Sequence, residues 1–394
     1  MKVLDHITVV DLTRFLAGPL CAMFLADFGA EVIKIEAPGR GDDTRSYSPF
    51  VSGESAYFMS INRNKKSITL NLKSEEGKEI LKKLIDRADV LLENFTPGTM
   101  EKLGLGYEQV REINPSIIYA SCSGFGSTGP YAGKPAYDAV MQGIGGIMSV
   151  TGQPGGLPTR VGVSIADITA GYFMTIGVLT ALVHRERTGR GQMVENNLLD
   201  CQLALLENPV ARYFATGQCP QPSGNRHPSI APYSAYATRD GYMIVAAGND
   251  KHWEVFCRAV GREDLLEDER FKTNALRVKN YSGLEPIMND ILREKTTAEW
   301  IEILESHNMP CGPINTIEQI VNDAHVRARG IIWEIDHPVA GKIKVTGNPI
   351  YMSETPAAVK SPPPVLGGHT EEILSGMLNY TDDEIKALRE KKVI

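Results

Sequence analysis

The sequence has no C-x-x-C pair. Its six cysteines (Cys21, Cys122, Cys201, Cys219, Cys257 and Cys311) stand apart, which excludes a zinc ribbon or a C-x-x-C redox motif. The one His near a cysteine, His307 beside Cys311, lies in SHNMPCGP. That segment reads as a helix end and turn, so no metal site is expected. Isolated thiols fit a reducing cytoplasm, and a cytoplasmic protein is expected. Basic charge is not in excess: 41 Lys and Arg face 48 Asp and Glu, a net charge of −7. No nucleic-acid partner is therefore expected, and an anionic ligand must be met by local basic groups or helix N-termini. Long uncharged apolar runs are missing too. The longest, residues 168–183, is short for a membrane span and contains Gly and Thr. The first residues, MKVLDHITVVDLT, carry charges inside the apolar run and show no cleavage site, unlike a signal peptide. No internal repeat or low-complexity tract occurs, and no membrane association is expected.

What is present reads as an α/β protein. Residues 7–12 (ITVVDL) form a buried strand, 18–29 (GPLCAMFLADFG) a helix, and 30–36 (AEVIKIE) a second strand. That is a βαβ unit of a parallel sheet. Further strands are read at 68–72, 89–93, 117–121 and 192–198, with an amphipathic helix at 74–88. Glu36 ends the second strand where a ribose-binding acid would sit, but the first turn, DLTRFLAGP, lacks G-x-G-x-x-G. A dinucleotide is excluded on that ground while the sheet stands. Arg40, Arg45, Arg63, Lys65 and Lys66 read mainly as solvated loop charges, with a phosphate-reading rim as the alternative. The glycine-rich GFGSTGP, at a strand exit, is placed to expose backbone N–H groups to a ligand.

The stretch 163–190 (VSIADITAGYFMTIGVLTALVHRERTGR) reads as one long helix, stopped at Gly189 by a left-handed cap. Asp167 stands at its start and has two readings. One is an N-cap; the other is a nucleophile or base, with small Ala166, Ala170 and Gly171 admitting a bulky ligand. Spacing alone does not choose between them. Composition shifts to Pro, Gly and Ser around 215–232, and 225–330 reads as a smaller α+β domain.

These segments together resemble the class III CoA-transferases, with the α-methylacyl-CoA racemases as relatives. The resemblance covers essentially the whole chain. It rests on AGPLCAMFLADFGAEVIKIE, NRNKKSITLNLK, VLLENFTPG, SGFGSTGPYAGKPAYDAVMQ, ADITAG, HRERTGRGQ, GNRHPSIAPYSAY, MPCGPINT and PPPVLGGHTEEIL. It implies a Rossmann-like large domain over 1–205 completed by about 340–394, a linker at 206–225 and a small α+β domain over 226–330. It also implies two ring-shaped chains interlocked as a homodimer. Asp167 matches the family's nucleophile, which carries CoA from an acyl-CoA donor to a carboxylic acid through a mixed anhydride and an aspartyl-CoA thioester. CoA is then substrate rather than a resident cofactor. Positions touching CoA map to Arg14, Ala17, Leu72, Lys73, Asn94, Phe95, Lys102 and Tyr137. Asp138, Arg226 and His227 are expected on the substrate side; Arg226 or His227 reads either as the holder of the acid's remote group or as a loop charge in solvent. The alternatives are a racemase and a non-catalytic CoA-binding protein. The racemases carry His where this chain has Tyr137, and ADITAG is intact, so transfer is favoured over both.

Overall fold

The structure, a computed structural model, describes residues 2–394. The chain packs into two compact units. The first holds the chain up to Ile147, Val161–Val210 and Arg327–Ile394; the second holds Met148–Arg160 and Ala211–Val326.

In the first unit β-branched runs make six strands: β1 (Thr8–Asp11), β2 (Glu31–Glu36), β3 (Lys65–Thr69), β4 (Val90–Glu93), β5 (Ile118–Ser123) and β6 (Gln192–Asn197). Their order is β3-β2-β1-β4-β5-β6, every pairing parallel. This is the doubly wound Rossmann order, and its direction of winding reverses between β1 and β4. Period-two alternation sorts the side chains to two faces. Val9, Val32, Val90, Leu92, Ile118 and Ala120 join one core with α1 (Ala17–Asp27). Val10, Ile33, Ile68, Leu91 and Tyr119 join another with α2 (Glu75–Arg87) and the C-terminal Ile385, Leu388 and Val393. Helices covering both faces explain why these strands read as continuous apolar runs.

The strand read at 68–72 is instead β3, shifted toward the N-terminus. Lys65 looks like a loop charge in sequence. Yet it is fully buried and donates to Asp11 Oδ2 at 3.1 Å, Pro19 O at 2.9 Å and Asn62 Oδ1 at 2.9 Å. Arg45 and Arg63 are likewise not solvated. Arg45 grips Glu36 with two bonds of 2.8 Å, and Arg63 grips Asp27 at 2.9 and 2.6 Å. The solvated reading fails for these three because each has a carboxylate partner supplied by a different element.

Asp138–Ile144 forms α3, Ile165–Thr188 forms α4 and Leu198–Leu205 forms α5. By length and hydropathy α4 is long and apolar enough to cross a membrane. One side of it, including Ala166, Ala170, Met174, Val178 and Leu182, is nonetheless buried in the first core. The small residues near Asp167 admit a helix rather than a ligand. A Cβ on Gly171 would stand 2.7 Å from the Ala17 carbonyl oxygen of α1.

In the second unit β7 (Tyr233–Ala237), β8 (Tyr242–Ala246) and β9 (Cys311–Pro313) form an antiparallel sheet with β8 in the middle, over a core that includes Trp253, Phe256 and Trp300. It is an α+β unit. The stretch 206–225, read as a linker, contains the helix Glu207–Thr216. Met148–Arg160 joins this unit, where Gly224 N–H donates to Gly152 O at 2.9 Å.

Candidate active site at the carboxyl edge of the sheet

An open parallel sheet leaves a crevice where its winding reverses. Here the loops leaving β1 and β4 meet across it. Arg14 N–H donates to Asn94 Oδ1 at 2.8 Å, and Asn94 Nδ2 donates back to Arg14 O at 2.7 Å. The next residue, Phe15, sits at φ 66°, a left-handed conformation that a bulky side chain avoids. Its ring meets Tyr137 edge-on at 6.1 Å.

A cavity of about 300 Å³ opens beside this junction, lined among others by Arg14, Arg40, Leu72, Lys73 and Phe95. Its floor is an apolar slot and its rim carries cations. The Arg14 guanidinium lies 5.7 Å from the Phe95 ring centroid and bonds Asp43 at 3.0 Å. Glu36 also lines the cavity, but its oxygens are occupied by Arg45, Ser67 Oγ at 2.6 Å and Asp42 N–H at 2.8 Å. It is not free to hold a ribose.

Asp167 lies in the first turn of α4, where aligned peptide dipoles favour negative charge. It is not the cap: Ser164 occupies that position, without a side-chain capping bond. The cap comes from α3 instead, where Asp138 Oδ1 accepts the Ala166 N–H at 2.9 Å. The Asp167 carboxylate makes no hydrogen bond or ion pair among the described residues. Burial and then the Asp138 charge raise its carboxyl to about 7. Tyr57, far away in sequence, stands close enough that burial first and Asp167 second push its phenol up to about 12.

The sequence as a whole matches a known family. The sequence profile of CoA-transferase family III matches residues 4–370. The chain belongs to that family. Among relatives, it is 42% identical over 389 residues to the mouse (Mus musculus) succinyl-CoA:glutarate CoA-transferase, covering 98% of this chain and 89% of that protein. It is 41% identical over 350 residues to an acetyl-CoA:oxalate CoA-transferase of Acetobacter aceti, covering 89% of each. The crystal structure of a CaiB/BaiF family protein from Brucella suis superposes with a TM-score of 0.86 at 40% identity, covering 95% of this chain and 99% of that one. The protein is therefore a class III CoA-transferase with a Rossmann-like large unit.

Within this CoA-transferase, four of the residues matched to CoA contacts come together. Arg14, Leu72, Lys73 and Phe95 line the cavity, and Asn94 braces it through Arg14. Lys102 is exposed at the end of the short helix Thr99–Lys102, next to the lining residue Leu103. Ala17 is buried under Gly171, and Tyr137 is exposed against Phe15. Two N–H groups of GFGSTGP are not free for a ligand: Gly126 donates to Ser123 Oγ at 2.9 Å, and Ser127 donates to Glu195. A neighbouring cavity of about 480 Å³ is lined by Glu93, Glu101, Glu108 and Glu195, a field that repels phosphates. In the second unit a cavity of about 640 Å³ is lined by Arg212, Arg226 and Tyr281, with Arg226 over the Tyr281 ring at 4.8 Å. His227 turns elsewhere. It stacks on Tyr233 at 5.3 Å, and its Nδ1 accepts Ser229 N–H at 3.1 Å. Sequence reasoning missed Tyr57 and Gln142, because nothing in the local pattern of either points to α4.

Proposed function

We propose that this enzyme moves CoA from a dicarboxylic acyl-CoA to a dicarboxylic acid, with Asp167 as the covalent carrier. The unpartnered carboxylate of Asp167 in the first turn of α4 carries the reading. An Asp167 oxygen attacks the thioester carbonyl carbon; the C–S bond breaks and CoA thiolate leaves, giving a mixed anhydride. The thiolate attacks the Asp167 carbonyl carbon, the donor acid departs, and an aspartyl-CoA thioester remains. The acceptor carboxylate attacks that thioester and frees the thiolate again. The thiolate then takes the acceptor's acyl carbon and returns Asp167 as a carboxylate. No proton is gained or lost overall. The N–H groups of Ile165, Ala166 and Ile168 are already bonded to Val163 O, Asp138 and Ser164 O, so the start of α4 offers each tetrahedral oxyanion its peptide dipole rather than a set of free donors.

The cavity of Arg14, Arg40, Leu72, Lys73 and Phe95 is proposed to hold the nucleotide end of CoA. Its cations suit phosphates and its apolar slot suits adenine. Glutarate and oxalate, named in the relatives, are both dicarboxylic acids. Mixing succinyl-CoA with glutarate and following glutaryl-CoA by mass spectrometry, beside a panel of mono- and dicarboxylic acids, tests the reading. Exchange with no acid in the panel would refute it.

Arg226 is proposed to hold the acid's distal carboxylate, supported by its place with Arg212 in a cavity of the second unit. Arg226→Ala is expected to raise the acceptor KM about tenfold to a hundredfold, the loss of one charge-assisted pair. An unchanged acceptor KM sinks this assignment. A homodimer, interlocked as in the family, is also proposed. Tyr172, Phe173, Ile176, Leu179 and Val183 form an apolar stripe along the exposed side of α4, the kind of surface a second copy covers. Sedimentation at the mass of one chain would rule it out.

A further inference from the structure

Gln142 is fully buried in the middle of α3, and its amide is committed on both sides. Nε2 donates to Asp138 Oδ2 at 2.8 Å and to Val163 O at 3.2 Å, while Oε1 accepts Val161 N–H at 2.8 Å. Two acceptors face the nitrogen and a donor faces the oxygen, so the partners dictate which way the amide points. Asp138, held by Gln142, in turn accepts the Ala166 N–H at 2.9 Å. Three backbone groups of the segment leading into α4 are thus tied to α3 by two side chains. The helix supplies no side-chain cap of its own at Ser164. The start of α4, and with it the first-turn carboxylate, is placed from outside.

Building on the assignment of Asp167 as nucleophile, we propose that Gln142 is a positioning residue for Asp167, fixing the 161–166 segment both directly and through Asp138. Replacing its amide by a carboxylate keeps the shape but turns an oxygen toward the Asp138 carboxylate and the Val163 carbonyl. Gln142→Glu should therefore release the segment. A shift of about 1 Å at a reacting atom costs on the order of a hundredfold. The cavity of Leu72 and Phe95 includes neither residue 142 nor its partners. The expected result is a kcat lowered about tenfold to a hundredfold, with the acyl-CoA KM within about twofold.

The paired variant Asp138→Asn with Gln142→Glu exchanges donor and acceptor. The amide nitrogen introduced at position 138 donates to the carboxylate introduced at position 142, and the amide oxygen still accepts the Ala166 N–H. The pair should recover about tenfold of the lost kcat. Should Gln142→Glu fail to fold, Gln142→Met, uncharged and similar in volume, takes its place with the same expected split between kcat and KM. Wild-type kcat in the folded single variant, a parallel rise in KM, or a double variant no better than Gln142→Glu overturns the proposal. Failure of the nucleophile assignment shows separately, as transfer that survives in Asp167→Ala.

Discussion

Asp167→Ala is expected to lose CoA transfer by about 10⁴-fold or more, since removing a covalent nucleophile removes the whole reaction path. CoA binding should persist, because the cavity of Arg14, Leu72, Lys73 and Phe95 contains no part of Asp167. The wild-type enzyme, incubated with acyl-CoA and hydroxylamine, should be inactivated and carry a hydroxamate at residue 167. Without acyl-CoA it should be spared. Transfer in the alanine variant within about tenfold of wild type would end the aspartyl mechanism. The same carboxyl sets a pH dependence. Burial and then Asp138 hold it at about 7, and only its ionised form attacks. Below pH 7 the ionised fraction falls roughly tenfold per unit, so kcat/KM for acyl-CoA should rise steeply from pH 5 to 7 and level off near 8. A profile flat down to pH 5 would show that the nucleophile is an ordinary, well-solvated carboxylate.

The largest stability effect is expected at Arg63→Ala, a loss of about 3–5 kcal/mol in urea unfolding. Arg63 is buried against an equally buried Asp27 and bonds it twice, at 2.9 and 2.6 Å. Its guanidinium also donates to Thr346 O at 3.0 Å and lies 4.9 Å from the Trp333 ring centroid. Truncation leaves the Asp27 charge with only the amides Asn64, at 2.9 Å, and Asn348, at 3.3 Å. The cost is the desolvated charge left behind more than the contact removed. Exposed pairs such as Lys82 with Glu79 should by contrast change stability by less than about 1 kcal/mol. A loss of under about 1 kcal/mol for Arg63→Ala would mean that Asp27 finds water or another cation once the arginine is gone.

Much of the first unit was legible from local pattern. The β-branched run before Asp11 became β1, Ser74 caps α2 by accepting the Gly77 N–H, and Gly189 at φ 72° ends α4 in the left-handed conformation. The start of α4 was not legible. The sequence places an Asp at a helix start and so suggests a cap, but the capping carboxylate is Asp138, 28 residues before the Ala166 N–H it accepts. GFGSTGP reads as open backbone for a ligand, yet Glu195 of β6 has claimed the Ser127 donor. The cap and the claimed donor both depend on groups that meet only when separate elements pack.

Periodicity and turn chemistry act between neighbours, so the chain alone determined that there is a parallel α/β sheet, where α4 stops, and, through several family segments taken together, which reaction class it serves. Tertiary structure decided the fate of the charges. It drew Lys65, Arg63 and Arg45 inward onto Asp11, Asp27 and Glu36, and left the Asp167 carboxylate without a hydrogen bond or ion pair among the described residues. A charge is stabilised or stranded by what packing brings within a few ångströms of it, and no window along the chain contains that distance.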